Sequence, residues 1–444
     1  MEEKVELIQQ LNRKIRLRAK RAVNRLRSER IPNLDATQWW KYEDLKRFQD
    51  KRLVKMVSYA YQRIPAYKKK FDAAGIKPSD IKTTEDLPKL PVTTRREMQD
   101  NQEFINQKLV SAVLFTGGST GESLRYFESF ESGRIRLASH LRGWSWNGYF
   151  PGEKRLAVVA SAQGTISASQ VINLVGDMSA NNIDENLERL LEFQPQHLRG
   201  YVNSLYLLAR HCINKGVRLD FVESINPISE NLYDYQRIAM EEAFGCRVFD
   251  EYCCNDGGAC AWECEMHEGL HYCMERSIIE NLDGKMFVTD LWNRAMPFIR
   301  YENGDLVTFL DDACTCGREL PLMKVTGRTN EVIVSPSGPI SPSFLMYHGI
   351  GYQEQAERMG EFRSGIAAVQ YIQKKGYILV VNMVLNDWCT DHEISEFHAA
   401  IEKIAAGMEI RFRVLDALPS SPKGKRQFII NQDKELLRKW SHEN

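Results

Sequence analysis

The sequence lacks any excess of charge of one sign: 59 Lys and Arg stand against 59 Asp and Glu. No global field therefore draws the chain to nucleic acid or to an anionic membrane. It also lacks an uninterrupted apolar run long enough to span a bilayer, which excludes a transmembrane helix. Its first ten residues, MEEKVELIQQ, put charges where a secretion signal needs an apolar stretch. A cytoplasmic protein is the expectation. No internal repeat or low-complexity tract is visible, so a repeat array is not indicated.

Cysteine is not scarce but unevenly spread. Seven of the ten, Cys253, Cys254, Cys260, Cys264, Cys273, Cys314 and Cys316, fall within 64 residues. In a reducing compartment such clustering argues for metal or thiol chemistry rather than disulfides. The length, 444 residues, suits two or three domains with ample core.

Residues 3–30 are rich in Arg and Lys, with apolar residues at helical spacing (Val5, Ile8, Leu11, Ile15). Either a solvated helix face or a docking surface for an acidic partner fits them. LKRFQDKRLVKMVSYAYQRI reads as an amphipathic helix that stops near Pro65, and Pro88 and Pro91 cut the run from Asp80 to Met98 into short connections. From 154 to 310, β-rich runs (RLAVVAS, CRVFDEY, MFVTDLW, DLVTFL) alternate with helical ones (ENLERLLEF, SLYLLARHCI, DYQRIAMEEAF). That alternation predicts a mostly parallel sheet covered by helices, the core of a large α/β body. Beyond Arg328 the texture changes to a compact α+β pattern of roughly a hundred residues. The reading is a large domain over 1–328 and a small mobile domain over 329–444, joined near 328–334.

LFTGGSTG (114–121) is bare backbone in a chain otherwise rich in large side chains. Gly frees φ, and a nest of N–H groups with hydroxyls suits a phosphate; a plain Gly/Ser turn between strands is the alternative. Four further stretches bear on the choice: EYCCND (251–256), FIRYENGDLV (298–307), VTGRTNEVIV (325–334) and LPSSPKGKRQ (418–427). Each can be a mere turn, surface arginine or basic loop. Jointly they supply a phosphate loop, an aromatic wall for adenine, carboxylates for ribose and metal, and cations for developing charge.

In order and spacing these stretches resemble the adenylate-forming ligases, and within them the branch of phenylacetate:coenzyme A ligase-like and CapK-type capsule-biosynthesis proteins. YAYQRIPAYKKKFDAAGIKPSDIKTTEDLPKLPVTTRREM is similar to the N-terminal part of that branch, and the likeness runs from about residue 40 to 430. The resemblance implies a large N-terminal α/β body with a small mobile α+β domain. It also implies an acid–thiol ligase that activates a carboxylic acid as acyl-AMP, using ATP and Mg²⁺ and releasing pyrophosphate. The acyl group would pass to coenzyme A, a carrier-protein thiol or an amine; a homodimer is compatible with it.

Position by position, Thr116, Gly117, Gly118, Ser119, Thr120 and Gly121 match the loop that holds the β- and γ-phosphates. It is not a Walker loop, because Glu122 and Ser123 replace the Lys-Ser/Thr pair. Tyr252 matches the adenine-stacking aromatic and Asp305 the residue that bonds both ribose hydroxyls. Arg328 matches the linker arginine, Lys425 the catalytic lysine, with Lys423 its neighbour. Asp256 stands where the family commonly has a Mg²⁺-binding Glu. Glu122, Cys253, Asn255, Asp256 and, two residues after Arg328, Asn330 depart from the usual pattern. These departures keep open a non-catalytic nucleotide-binding or scaffold protein on the same fold.

Cys264, His271, Cys314 and Cys316 can close a tetrahedral structural Zn²⁺ site, and the resembled branch often carries this set. Buried free thiols are the other reading, and His267 and Cys273 are fallback ligands. For the acid, Trp144, Trp146, Tyr149 and Phe150 can wall a planar group or simply pack a core, and SAQGTISAS (161–169) can line a pocket.

Overall fold

The computed structural model describes residues 31–99, 101–115, 124–152, 154–161, 165–168, 170–175, 180–328, 333–336, 338–340, 365–418, 429–433 and 435–436. The Arg-rich segment 3–30, the glycine loop 116–121, Asn330, the run 344–360, Lys423 and Lys425 lie outside them.

Helix α1 (Tyr42–Arg63) buries Leu45, Gln49, Leu53, Met56, Val57 and Ala60, a stripe at three- and four-residue spacing. It ends as expected, because Pro65 cannot continue the hydrogen-bond ladder and instead opens α2 (Pro65–Ala73) at its first turn. The proline-cut segment that follows carries two 3₁₀ turns and the short helical turn Arg95–Met98. Strands β1 (Val110–Phe115) and β2 (Arg125–Ser129) pair antiparallel, with Phe115 opposite Arg125 at the end that bears the glycine loop. Helix α3 (Phe130–Trp146) follows, its first turn capped by the Ser129 hydroxyl.

Next come β3 (Leu156–Ser161), β4 (Thr165–Ala168), β5 (Val171–Val175), α4 (Ala180–Phe193), β6 (His197–Tyr201), α5 (Val202–Lys215), β7 (Ser224–Ile228), α6 (Asp234–Phe244) and β8 (Arg247–Val248). They form a six-stranded sheet in the order β4-β5-β3-β6-β7-β8. All its pairings are parallel except that of the edge strand β4. The crossover helices bury Leu190, Leu205, Leu208, Met240 and Phe244 against Val159, Leu174, Leu198 and Ile225.

The predicted parallel sheet stops there. Strands β9 (Glu251–Cys253), β10 (Cys260–Glu263), β11 (Leu270–Tyr272), β12 (Ser277–Leu282), β13 (Lys285–Asp290), β14 (Tyr301–Phe309) and β15 (Leu322–Arg328) build a separate seven-stranded sheet in the order β12-β13-β14-β15-β11-β10-β9. Every pairing in it is antiparallel. CRVFDEY, which reads as one strand, is split between the two sheets. FIRYENGDLV is likewise no turn between strands: β14 runs on through it from Tyr301, with Gly304 at φ 85° inside a register shift of its pairing with β13. Helices α1 and α2 pack on this sheet, where Gln49 donates to the carbonyls of Met274 and Ser277 and Tyr67 to that of Pro297.

Strands β16 (Ile333–Ser335) and β17 (Gly338–Ile340) pair with each other. Then β18 (Ile366–Lys374), β19 (Ile378–Leu385), helix α7 (Asp391–Ile404), β20 (Glu409–Val414) and β21 (Ile429–Asn431) make the order β20-β19-β18-β21. Ile333, Ile340, Tyr371, Val381, Phe397 and Ile401 close a core of their own, the compact α+β unit the pattern beyond Arg328 predicts.

Candidate functional site

The site is built on β9, an outer strand of its sheet with only three residues, so its side chains alternate between two faces. Tyr252 points to one of them. Its hydroxyl donates to Asp305 Oδ2 at 2.6 Å and touches Met286 Sδ at 3.3 Å. Burial, and then the Asp305 carboxylate, push the phenol pKa well up, so it stays a donor. Asp305 on β14 lies opposite Arg328 on β15, and the Arg328 Nε–Asp305 Oδ1 ion pair is 2.9 Å long. Three residues predicted from separate stretches thus meet in one hydrogen-bonded set.

Asn303 completes it and was not anticipated. Its side-chain amide donates to the Tyr252 hydroxyl at 3.0 Å, and its Oδ1 accepts from the Asp305 backbone N–H at 3.0 Å. The only sequence signal was its position two residues before Asp305, on the same face of a strand.

Asp256 sits in the bend after β9, buried. The Tyr301 hydroxyl donates to its Oδ2 at 3.0 Å and the Cys254 thiol to its Oδ1 at 3.1 Å. Arg95 is the nearest cation among the described residues, 3.9 Å from Oδ2. The bend needs glycine: Gly257 and Gly258 have φ of 91° and 77°. A Cβ on Gly258 would also stand 2.8 Å from Asp290 Oδ2. Arg300, grouped with Tyr301 and Asp305 in the sequence, turns away. It pairs with Glu280 and donates to the carbonyls of Pro88 and Leu90, a structural clamp on the proline-rich segment.

A second cluster lies in the same sheet. Cys264 follows β10, His271 is on β11, and Cys314 and Cys316 lie in the connection between β14 and β15. Their four ligand atoms all fall within 4.8 Å of one another. Cys264 Sγ is 3.6 Å from Cys314 Sγ, and Cys316 Sγ is 3.4 Å from His271 Nε2. His271 Nδ1 is bonded to the Leu320 carbonyl at 2.9 Å, which turns Nε2 toward the sulfurs. Backbone N–H groups of Met266 and Arg318 reach Cys264 and Cys316 at 3.5 and 3.4 Å. Burial lowers the His271 pKa and raises those of the Cys264 and Cys314 thiols. Neither fallback ligand joins: His267 turns to Glu263, and Cys273 is buried beside Ser139.

Of the aromatic residues considered for an acid pocket, Trp146 is core. It donates to Gln38 and lies edge-on to His271, while Phe150 is exposed. Trp144 is half-buried and donates to Glu251 Oε2 at 3.0 Å.

The fold is that of the adenylate-forming ligases. A structure of 2-hydroxyisobutyryl-CoA ligase in the postadenylation state superposes with a TM-score of 0.71 at 16% identity, over 91% of this chain and 93% of that one. The same ligase in its thioesterification state gives 0.58 at the same coverage. Residues 352–432 match the CapK C-terminal domain family. Protein CapK of Staphylococcus aureus is 22% identical over 427 residues, covering 88% of this chain and 92% of CapK. The phenylacetate-coenzyme A ligase of Thermus thermophilus is 25% identical over 332 residues, covering 66% and 72%. The chain is homologous to CapK and to the phenylacetate-coenzyme A ligases.

Proposed function

We propose that the protein is an ATP- and Mg²⁺-dependent ligase that converts a carboxylic acid to acyl-AMP with release of pyrophosphate. It then passes the acyl group to a thiol, coenzyme A or a carrier, or to an amine. The observation that carries this reading is the joining of Tyr252, Asp305 and Arg328 into one set, in a chain homologous to ligases of this chemistry.

In this reading Tyr252 offers its ring to adenine. Asp305 accepts from the ribose hydroxyls: its Oδ2 already takes the Tyr252 hydroxyl and, at 3.4 Å, the Asn303 amide, whereas Oδ1 meets Arg328 Nε and keeps a second lone pair. Arg328 stabilises Asp305 and brings its positive charge to the ribose and phosphate side of the site. Thr116, Gly117, Gly118, Ser119, Thr120 and Gly121 grip the outer phosphates. A carboxylate oxygen of the acid attacks the α-phosphorus; the new P–O bond forms as the bond to the β-phosphate breaks, and pyrophosphate leaves. Lys425, carried by the small domain over 329–444, stabilises the negative charge that builds in that transition state.

Mg²⁺ would neutralise phosphate charge, and Asp256 is the residue placed to hold it. Its two contacts within hydrogen-bond distance are the neutral Tyr301 hydroxyl and Cys254 thiol, and Arg95 stands off at 3.9 Å, so a hard cation can still meet the carboxylate directly. Cys264, His271, Cys314 and Cys316 would hold Zn²⁺. Tetrahedral Zn–S bonds of about 2.3 Å put ligand atoms about 3.8 Å apart, close to the 3.6 and 3.4 Å found here. With four protein ligands no coordination position is left for chemistry. The metal would staple the β14–β15 connection, between the strands that bear Asp305 and Arg328, to β10 and β11. A cytoplasmic location agrees with ten cysteines that are all unpaired.

The test is a panel of carboxylic acids and acceptors with ATP, Mg²⁺ and coenzyme A, followed by pyrophosphate release and mass spectrometry. An acyl-AMP and its thioester or amide are expected. ATP binding without turnover of any acid would overturn the assignment.

A further inference from the structure

The face of β9 opposite Tyr252 carries none of the residues assigned above to the nucleotide, yet it is polar. Glu251 and Cys253 point there, toward α3. His140 of α3 places Nε2 3.8 Å from Cys253 Sγ and 4.0 Å from Glu251 Oε1. Its Nδ1 is bonded to the Arg136 carbonyl at 2.9 Å. The proton is therefore on Nδ1, and Nε2 carries a lone pair directed into the cluster with nothing better than a thiol to meet it. Burial holds this imidazole down to about 4, so it is neutral near pH 7.

Donors are left over on the same side. Glu251 is engaged by Arg199 Nη2 at 2.5 Å on one oxygen and Trp144 Nε1 at 3.0 Å on the other, and among the described residues Arg199 Nε has no partner. Arg276 is 1% exposed, and among the described residues its Nε and Nη1 have no hydrogen-bond partner, with the Cys260 sulfur lying against the guanidinium. Its charge stands beside Cys253, Cys260 and Asp290. A buried guanidinium left in this state is costly unless a ligand completes it. His140, Trp144, Arg199 and Cys253 are each partly exposed, so the recess is open to solvent.

We propose that this recess receives the carboxylic acid and that the acid bears a hydroxyl group, which donates to His140 Nε2 and accepts from a guanidinium of Arg199 or Arg276. This rests on the ligase reading for the acid's presence, and on the recess itself for its chemistry. An acyl-AMP joins acid and nucleotide through one phosphorus, so the acid must lie next to the nucleotide. Cys253 adjoins Tyr252 on an outer strand, which puts both side chains within reach of one extended ligand. A hydroxyl is the simplest group that is donor and acceptor at once. A metal is the competing occupant, because His140 Nε2, Glu251 Oε1 and Cys253 Sγ lie within 4.8 Å of one another. The Arg199 cation already on Glu251 Oε1 and the charge of Arg276 both repel a divalent ion.

Calorimetry on the full chain, with AMP present, tests this with matched acids: lactate and propionate, 3-hydroxybutyrate and butyrate, 4-hydroxyphenylacetate and phenylacetate. In at least one pair the hydroxylated acid should bind about tenfold or more tightly than its partner. His140→Phe should abolish that advantage while ATP affinity stays unchanged, and His140→Gln, which keeps an acceptor, should retain part of it. Equal binding within every pair, no binding by any acid, or an advantage that survives in His140→Phe would overturn the proposal. So would a second equivalent of zinc lost on His140→Phe. Pyrophosphate release on the same acids separates the two readings: selective binding with no turnover sinks the ligase and leaves the recess standing.

Discussion

The two clusters belong to one antiparallel sheet and differ in kind. Around Asp305 every contact is a hydrogen bond or ion pair that a ligand can join or exchange, and Arg328 and Tyr252 keep part of their surface in solvent. The Cys264–His271–Cys314–Cys316 cluster is inward and closed, with its sulfurs and imidazole turned to one another. The first arrangement can act; the second can only hold. Perturbing one should change rate or affinity, whereas perturbing the other should change stability.

The largest effect should come from Lys425→Ala, which we expect to slow acyl-AMP formation about 100- to 1000-fold while ATP binding and melting temperature stay near wild type. Pyrophosphate release beside calorimetry decides it; equal loss of binding and rate would make this lysine a plain phosphate anchor. Stripping metal with a strong chelator, or Cys316→Ser, should lower the melting temperature by about 5 °C or more. An unchanged melting curve would break the contrast, as would activity lost from a fully folded protein. Tyr252→Phe deletes one hydrogen bond to Asp305 and keeps the ring, so ATP should bind about 3- to 10-fold more weakly with little change in turnover. If turnover falls instead, the hydroxyl acts on the reaction itself.

The smallest effect lies in the parallel sheet. Burial depresses the His197 pKa from 6.5 to about 4. A depressed folded-state pKa means that this group's contribution is intact above about 6.5 and is lost as the pH falls through 4. His197→Gln should therefore narrow the difference in melting temperature between pH 7 and pH 4.5. An undiminished difference would place the acid lability elsewhere.

Much of the candidate site was legible because its residues sit in short stretches whose composition is unusual for their setting. Tyr252 and Asp256 flank a double cysteine, and Asp305 and Arg328 each follow a glycine. What escaped depends on contacts between distant parts of the chain. Asn303 and Arg95 are ordinary residues until folding brings them to Tyr252 and Asp256. His140 looks like any helical histidine until α3 lies against β9. The direction of strand pairing was equally hidden: an apolar run shows that a strand exists, but CRVFDEY contains no local mark of the change of sheet between Val248 and Glu251. The helices of the parallel region were readable because each carries its own apolar stripe.

Strand β9 is aligned to β10 by Cys253 opposite Cys260 and Tyr252 opposite Ala261. With so few residues and a different task on each side, it has no tolerance for slippage. Substitutions there can be absorbed one side chain at a time. Insertion or deletion of a single residue between Cys254 and Ala259 would turn the phenol toward the helix and the thiol toward the ribose side. The length of that bend therefore matters alongside its two glycines, because it fixes the face to which each side chain of β9 is turned.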